Sequence, residues 1–207
     1  LGIGRADVRP DAAMGYAAAA GAVSGPVAEG NVGAGTGASV GKIFGNAGAM
    51  KSGLGTASIA IGGGAVVGAI VAVNAFGDVV DPKTGEIMAG ACPVKVGPLK
   101  LGGEGRFIDT LRVMQTFPGR QILRLAAGRN TVIGVVAANV KFTKAEATKM
   151  AQIAHDGLAR TVRPAHTMLD GDTIFSLATG GKHADVSTVG AYAAEALAQA
   201  IVRALLA

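Results

Sequence analysis

The chain has 207 residues and a formal net charge of +5; 50% of its residues are hydrophobic, 16% are charged and 4% are aromatic. Burying this much apolar surface can offset the entropy of ordering the chain, so the composition excludes intrinsic disorder. The length indicates one domain, or a compact core with a small extension. The basic residues are not clustered and stacking aromatics are scarce, so we expect no binding to nucleic acid.

The segment 52–77 has no charged residue and is long enough to span a bilayer. Its three consecutive glycines and Asn74 favour two adjacent buried strands, or a strand and a loop, over a membrane span. The single cysteine, Cys92, excludes an internal disulfide framework, so we expect a cytoplasmic protein in which Cys92 is a packed residue. The chain begins at Leu1 without a basic and apolar leader, which indicates a fragment or a processed product.

Turn residues divide the first half of the chain into short elements. In chain order we expect a helix at 12–22, a glycine-rich segment at 30–45, a strand at 68–76 that ends in the turn 77–78, and a hairpin around 81–85. The following segment, 97–129, matches no pattern, and its Pro118-Gly119 pair indicates an exposed linker.

The second half has a clearer pattern. Residues 131–140 follow a turn-like 128–130 and are nearly all apolar, which is typical of a strand buried on both faces. Thr143 and Glu146 have the spacing of a capping box and predict a helix to about Arg160. A strand at 172–178 and a helix at 187–206 complete the order strand, helix, strand, helix, which predicts helices layered on a β-sheet.

The glycine-rich segment Gly33–Lys42 is a candidate phosphate loop. That motif needs a glycine six residues before the lysine and Ser or Thr after it, where this chain has Thr36 and Ile43. The dinucleotide motif fails as well, because Val40 replaces its third glycine. The segment is therefore interpreted as a loop that approaches its surroundings closely and ends in Lys42.

The three histidines, His155, His166 and His183, are too widely spaced to form a recognisable metal motif. We expect each to be a capping or packing residue, and we expect no metal. A Ser-His-Asp triad stays open, although the sequence has no Gly-x-Ser-x-Gly elbow.

Asn130-Thr131 and Asp170-Gly171-Asp172 form the third candidate site. A threonine hydroxyl is a poor nucleophile unless a base removes its proton, and the α-amine of an N-terminal threonine can do so. Cleavage before Thr131 would expose such an amine at the start of a strand. Asp170 and Asp172, two residues apart, would point the same way and hold the ammonium and hydroxyl protons. The alternative interpretation is an Asx turn that leads into a strand.

Four segments together resemble a self-cleaving N-terminal-nucleophile hydrolase family, which includes L-aminopeptidase/D-esterase, the β-aminopeptidases and the nylon-oligomer endohydrolase. These segments are Gly33–Lys42, Val71–Asn74, Asn130–Val136 and His166–Phe175. The resemblance implies an α/β fold, a four-layer α/β/β/α sandwich. Members of that family begin with a further N-terminal region, and we expect that this region is missing from this sequence.

The resemblance implies a single domain, 1–207, that cuts itself between Asn130 and Thr131 into chains 1–130 and 131–207. The new N-terminal residue would then attack amide bonds and form an acyl-enzyme. No cofactor or metal is implied. The expected partners are a small peptide or amide-oligomer substrate and further copies of the chain, as in a tetramer, with no nucleic acid and no membrane.

The family's functional residues match five positions of this sequence. Thr131 would be the nucleophile, and Asp170 and Asp172 would orient it and balance its charge. Asn74 would donate to the oxyanion, and Lys42 would tune the protonation of the nucleophile.

Three hypotheses follow from these observations. Because the aminopeptidase branch has Ser at the nucleophile position and Ser and Glu at the aspartates, Thr with Asp-Gly-Asp places the chain nearer the nylon-oligomer branch. An enzyme of this fold that acts on a D-amino-acid ester or an ornithine-like acyl donor is a second hypothesis. The third is a non-catalytic ligand-binding or assembly module.

Overall fold

The structure is a computed structural model that describes residue 7 and residues 9–125 and 130–206. In this part of the chain the helices α1 to α5 are Ala12–Ala20, Thr110–Gln115, Phe117–Leu125, Lys144–Thr161 and Val186–Arg203. The strands β1 to β11 are Ser39–Val40, Met50–Lys51, Leu54–Gly62, Ala65–Ala72, Asp78–Val80, Ile87–Ala89, Val94–Val96, Leu99–Leu101, Ile133–Val140, Val162–Arg163 and Thr173–Lys182. None of these helices is long and apolar enough to cross a membrane.

The main sheet has four strands in the order β11-β9-β4-β3. The uncharged segment forms β3 and β4, an antiparallel hairpin whose turn, Gly62 to Gly64, has positive φ at all three glycines. This confirms the expectation of two adjacent strands in place of a membrane span. β9 pairs antiparallel with β4 and parallel with β11, so the segments on both sides of residue 130 share one sheet.

Helices α4 and α5 cover one face of this sheet, with Met150, Leu158, Leu197 and Ile201 fully buried between the layers. Small residues let the layers approach closely. A Cβ at Gly157 would lie 2.1 Å from the carbonyl oxygen of Ala194, so α4 and α5 touch backbone to backbone there. The predicted capping box is present at Thr143 and starts α4.

The opposite face of the sheet is less buried than the sequence suggests. β9 was expected to be buried on both faces, but its residues alternate, and Ile133 is 51% exposed. Phe175 and Leu177 of β11 lie on the same face and are 57% and 55% exposed. Of the four layers expected, the described residues therefore show two, the main sheet and the helical layer that covers its other face.

A smaller sheet, in the order β10-β5-β6, contains the hairpin expected around 81–85. Its buried Asp78 accepts hydrogen bonds from the amides of Ala91 and Thr110, at 2.9 and 2.8 Å, and from the Thr110 hydroxyl at 2.9 Å. Burial raises the pKa of the Asp78 carboxyl, and these three donors oppose the rise. The contacts attach α2 to the domain.

The expected linker at 97–129 is wrong where the described residues form a strand and two helices, whereas 102–106 are exposed and belong to none of these elements. The elements are β8, α2 and α3, and Thr110 and Gly119 are buried. The hydrogen bonds from Thr110 to Asp78 attach α2 to the domain, and no local sequence pattern could indicate these long-range contacts. Residues 126–129, which include most of the expected turn 128–130, lie outside the described part.

Several element ends differ from the expected ones. The strand expected at 68–76 is β4, which ends at Ala72; the next residues leave the sheet, and the Phe76 carbonyl accepts the Lys42 amide at 2.9 Å. β11 continues through both glycines to Lys182. The first helix ends two residues early, and α5 begins after its cap Asp185 and ends at Arg203.

Candidate functional site

Thr131 lies just before β9, and its side chain contacts the peptide group that joins it to Asn130. Its hydroxyl donates to the carbonyl oxygen of Asn130, with Oγ1 and O 2.6 Å apart. Its amide donates to the backbone carbonyl of Asn74 at 2.8 Å. Thr131 is half-buried and Asn130 is buried, so the fold places the hydroxyl beside the bond expected to break.

The loop before β11 fixes Asn130. The Asn130 side-chain amide donates to the carbonyl of Leu169 at 3.1 Å, and Asn130 and Asp170 form a parallel β-bridge. The Gly171 amide donates to the Asn130 carbonyl oxygen at 2.8 Å. The structure thus brings the two sequence candidates, the Asn-Thr pair and the Asp-Gly-Asp turn, side by side.

Asp170 connects this loop to the segment that follows Asn74. One carboxylate oxygen accepts the Phe76 amide at 3.1 Å, and the other accepts the hydroxyl and the amide of Thr167 at 2.6 and 3.2 Å. The Lys42 amide bonds the Phe76 carbonyl, so the backbones around Lys42 and Asp170 are joined through one residue.

Asp172 has different contacts from Asp170, so the expectation of two parallel carboxylates is not met in their hydrogen bonds. Its side chain, 3% exposed, accepts the Val132 amide at 3.0 Å. Its second oxygen lies 3.1 Å from Nδ1 of His166. His166 has φ 55°, a backbone conformation that is uncommon for residues other than glycine. Asp172 therefore holds the residue after the nucleophile.

Lys42 and Asn74 form the other side of the site. The Lys42 ammonium donates to Oδ1 of Asn74 at 2.5 Å, and the Ser39 amide reaches the same oxygen at 3.3 Å. Burial lowers the pKa of Lys42 to about 8, and the negative charge of Asp170 limits the change. A lysine with such a pKa exchanges protons readily near neutral pH.

A cavity of about 440 Å³ opens beside these groups, and Thr131 and Asn74 are the polar residues in its lining. The remaining lining is apolar or glycine: Ala34, Gly37, Ala38, Leu54, Ile70, Val71, Ala72, Ile133 and Val135. The glycine-rich loop contributes part of this wall. Its close approach is to the protein itself, since a Cβ at Gly35 would lie 2.4 Å from the Leu54 nitrogen.

Two of the three histidines lie close together in the fold, although their spacing in the sequence gave no pattern; His183 is exposed. The rings of His155 and His166 are 4.9 Å apart, and His166 contacts Asp172. Burial, and after it the charge of His166, lowers the pKa of His155. Within the described residues, no group of three or more His, Cys, Asp or Glu side chains could hold a metal ion.

Sequence reasoning missed the contacts of His166, Thr167 and Phe76. Phe76 acts through its backbone, which leaves no signal in the sequence. His166 and Thr167 belong to the segment that carries the family resemblance, but only the fold shows that they bind the two aspartates.

Comparisons with known proteins extend these observations. The sequence profile of Peptidase family S58 matches residues 3–207. An uncharacterized aminopeptidase of Mycobacterium leprae is 38% identical over 234 residues, which cover 100% of this chain and 59% of that protein. A 6-aminohexanoate-oligomer endohydrolase of Paenarthrobacter ureafaciens is 28% identical over 95% of this chain and 56% of its own length.

Solved structures of similar proteins are also known. A β-aminopeptidase of a Burkholderia species has a TM-score of 0.55 and 27% identity, over 94% of this chain and 51% of its own. The L-aminopeptidase D-Ala-esterase/amidase of Ochrobactrum anthropi, a variant of the Ntn-hydrolase fold, has a TM-score of 0.56 and 21% identity, over 89% and 46%. The second likeness concerns the fold alone. The chain spans 59% of the length of the mycobacterial relative.

Proposed function

This chain belongs to peptidase family S58, and from that premise we propose that it hydrolyses amide bonds with Thr131 as its nucleophile. The observation that supports this most directly is the Thr131 hydroxyl, 2.6 Å from the carbonyl oxygen of Asn130 at the wall of the apolar cavity. A hydroxyl in this position can attack the carbonyl carbon of its own peptide first and that of a substrate afterwards.

Self-cleavage between Asn130 and Thr131 is the first step of this proposal. It would give pieces 1–130 and 131–207 and free the Thr131 α-amine. That amine, with an ordinary pKa near 8, can then accept the proton of the Thr131 hydroxyl. The hydroxyl oxygen attacks the substrate carbonyl, the amine of the substrate leaves with a proton, and water hydrolyses the ester that remains.

The neighbouring residues have separate roles in this mechanism. Asn74 would donate to the oxyanion of the substrate, and Lys42 would set the protonation of the nucleophile from its desolvated position. Asp172 would hold the start of the strand through the Val132 amide. Asp170 would keep a negative charge near Lys42, whose pKa it raises against the effect of burial.

The cavity supports a substrate whose acyl part is largely apolar. In the described part of the chain its lining carries no ionisable side chain, so a charge placed deep in it would be poorly solvated. Small peptides and amide oligomers with aliphatic acyl groups fit this description. The alternatives are an ester and an ornithine-like acyl donor. The ornithine-like donor is less favoured, because its charge would be poorly solvated in this cavity.

The four-layer sandwich and the homo-oligomer, such as a tetramer, also remain proposals. The exposed apolar face around Phe175 and Leu177 supports the first, since a second sheet packed on it would remove both side chains from water.

The test is mass analysis of the purified protein under denaturing conditions. We expect two pieces, cut between Asn130 and Thr131, and a single intact chain for Thr131→Ala. The matched variant Thr131→Ser keeps a hydroxyl and should still cut. A parent chain that stays uncut and still hydrolyses amides would contradict the proposal. A parent chain that stays uncut and has no activity would favour the non-catalytic module.

A further inference from the structure

The peptide between Asn130 and Thr131 is held from both sides by other parts of the backbone. Its carbonyl oxygen accepts the Gly171 amide at 2.8 Å, and its N–H donates to the Asn74 carbonyl at the same distance. The donor and the acceptor come from different loops, one after and one before the junction in sequence. This peptide therefore has fixed partners at the oxygen and at the nitrogen.

We propose that the Gly171 N–H is the oxyanion donor of the self-cleavage step. This inference rests on the proposed function, because it concerns the reaction in which the chain cuts itself. It assigns self-cleavage a donor of its own, separate from the Asn74 side chain that is proposed to serve the substrate.

The reaction can be written around this hydrogen bond. Thr131 Oγ forms a bond to the Asn130 carbonyl carbon, and the carbonyl electron pair moves to the oxygen, which becomes an alkoxide. The bond from that carbon to the Thr131 nitrogen then breaks, and the hydroxyl proton ends on this nitrogen. The product is an ester between Asn130 and Thr131, which water hydrolyses to a carboxylic acid and the free hydroxyl.

Charge develops on the oxygen that Gly171 already contacts, so the donor needs no rearrangement when the reaction begins. The Asn130 side chain binds the Leu169 carbonyl, and the Thr173 amide binds the Val132 carbonyl at 2.9 Å. These bonds hold the two segments in register on both sides of the Gly171 amide. Fixed donors of this kind stabilise a transition state more than mobile water does.

The absence of a side chain at residue 171 agrees with this role. A Cβ there would lie 3.0 Å from Thr131 Oγ1, closer than is comfortable for the nucleophile. Glycine lets the amide approach the scissile carbonyl while the hydroxyl keeps its space. The proposed role thus explains why glycine stands between the two aspartates, which the Asx-turn interpretation does not explain.

The experiment replaces single backbone amides by esters. Cell-free translation of the full chain would place glycolic acid at position 171, which removes this N–H and changes no side chain. The control places the α-hydroxy analogue of threonine at position 173, which removes the neighbouring hydrogen bond between the same two segments. The appearance of the two pieces is followed over time by mass spectrometry.

We expect the ester at 171 to slow self-cleavage by about 100-fold to 1,000-fold, as for the loss of one oxyanion donor. The ester at 173 should change the rate only a few-fold. Equal rates for the two esters would overturn the inference while leaving the proposed function intact, whereas an uncut parent chain would overturn both.

A second measurement does not depend on how the ester variants fold. Thr131→Ala, labelled with ¹⁵N-glycine and with ¹³C at the asparagine carbonyls, should show a scalar coupling across the hydrogen bond from Gly171 to Asn130. If the folded, uncut variant has no such coupling, the donor is not in place before the reaction and the inference fails.

Discussion

Lys42 is a residue whose pKa the fold lowers, which is the direction that the proposed proton transfer needs. Burial lowers its pKa from 10.5 to about 8. Above that pH most Lys42 side chains are neutral and can accept a proton; below it most are charged and cannot. The same residue on the surface would be almost entirely charged at neutral pH.

We therefore expect self-cleavage to accelerate as the pH rises from 6 through about 8 and then to level off. Lys42→Met should lower the rate by about 100-fold or more, the usual contribution of a general base, and should flatten the dependence on pH. Lys51→Met is the control, since Lys51 is exposed and its ammonium donates to the Thr36 carbonyl. A Lys42→Met variant with the parent pH profile would exclude Lys42 from the proton transfer.

A substitution at Asp172 distinguishes the proposed enzyme from the non-catalytic module. Asp172→Asn keeps an oxygen for the Val132 amide but loses the charge beside His166. We expect at least a 10-fold slower self-cleavage in a chain that still unfolds cooperatively, since hydrogen bonds to a charged partner are roughly twice as strong as neutral ones. Mass spectrometry and thermal denaturation measure the two effects.

The control for this change is Asp81→Asn, because Asp81 also accepts a backbone amide in a turn, from Lys83 at 2.7 Å. It should leave the cleavage rate unchanged. If both aspartates give the same small loss of stability and no change in rate, Asp172 is only a turn residue.

At the scale of elements, the contact of α4 with α5 depends on residues without large side chains. Gly157→Ala would place a methyl group 2.1 Å from the Ala194 carbonyl oxygen. We expect the free energy of unfolding to fall by about 1–3 kcal/mol, the usual range for overpacking, as measured by urea denaturation. Gly15→Ala, in the exposed helix α1 with nothing within 4 Å, should instead raise it by up to about 1 kcal/mol. A Gly157→Ala variant as stable as the parent would contradict this packing.

Elements with strong local signals were predictable. The capping box at Thr143 and the helix stripe that follows gave α4 to within one residue of its end. The resemblance to the self-cleaving family is confirmed by the S58 match over residues 3–207. The sequence could not show that the segment around α2 is packed on the domain, because its attachment includes the contact of Thr110 with Asp78, which is distant in sequence.

The site was predictable as a set of residues but not as an arrangement. Motif matching named Thr131, Asp170 and Asp172, and the fold places these segments together. Spacing alone suggested parallel carboxylates, but both aspartates lie before β11 begins at Thr173. Asp170 binds Phe76 and Thr167, whereas Asp172 binds the Val132 amide. Such contacts depend on loops that are distant in sequence.

At the scale of the whole molecule, the junction at residue 130 divides one sheet between the two proposed pieces. β4 and β9 pair over six residue pairs, and α5 packs on β3, so elements from both sides of the cut share one core. We expect the pieces to stay together after cleavage. In size-exclusion chromatography without denaturant, the two pieces should co-elute at the volume of uncut Thr131→Ala. Elution of the two pieces at different volumes would contradict the shared core.

The hydrogen bond between the Thr131 amide and the Asn74 carbonyl joins residues 57 positions apart, and the bond from Gly171 to Asn130 joins residues 41 positions apart. Neither exists in a nascent polypeptide. Under the proposed function, a newly made chain is thus dormant until its strands have assembled, and no outside protease is needed to switch it on. Folding itself would determine when self-cleavage occurs, so a misfolded copy would never expose the α-amine of Thr131.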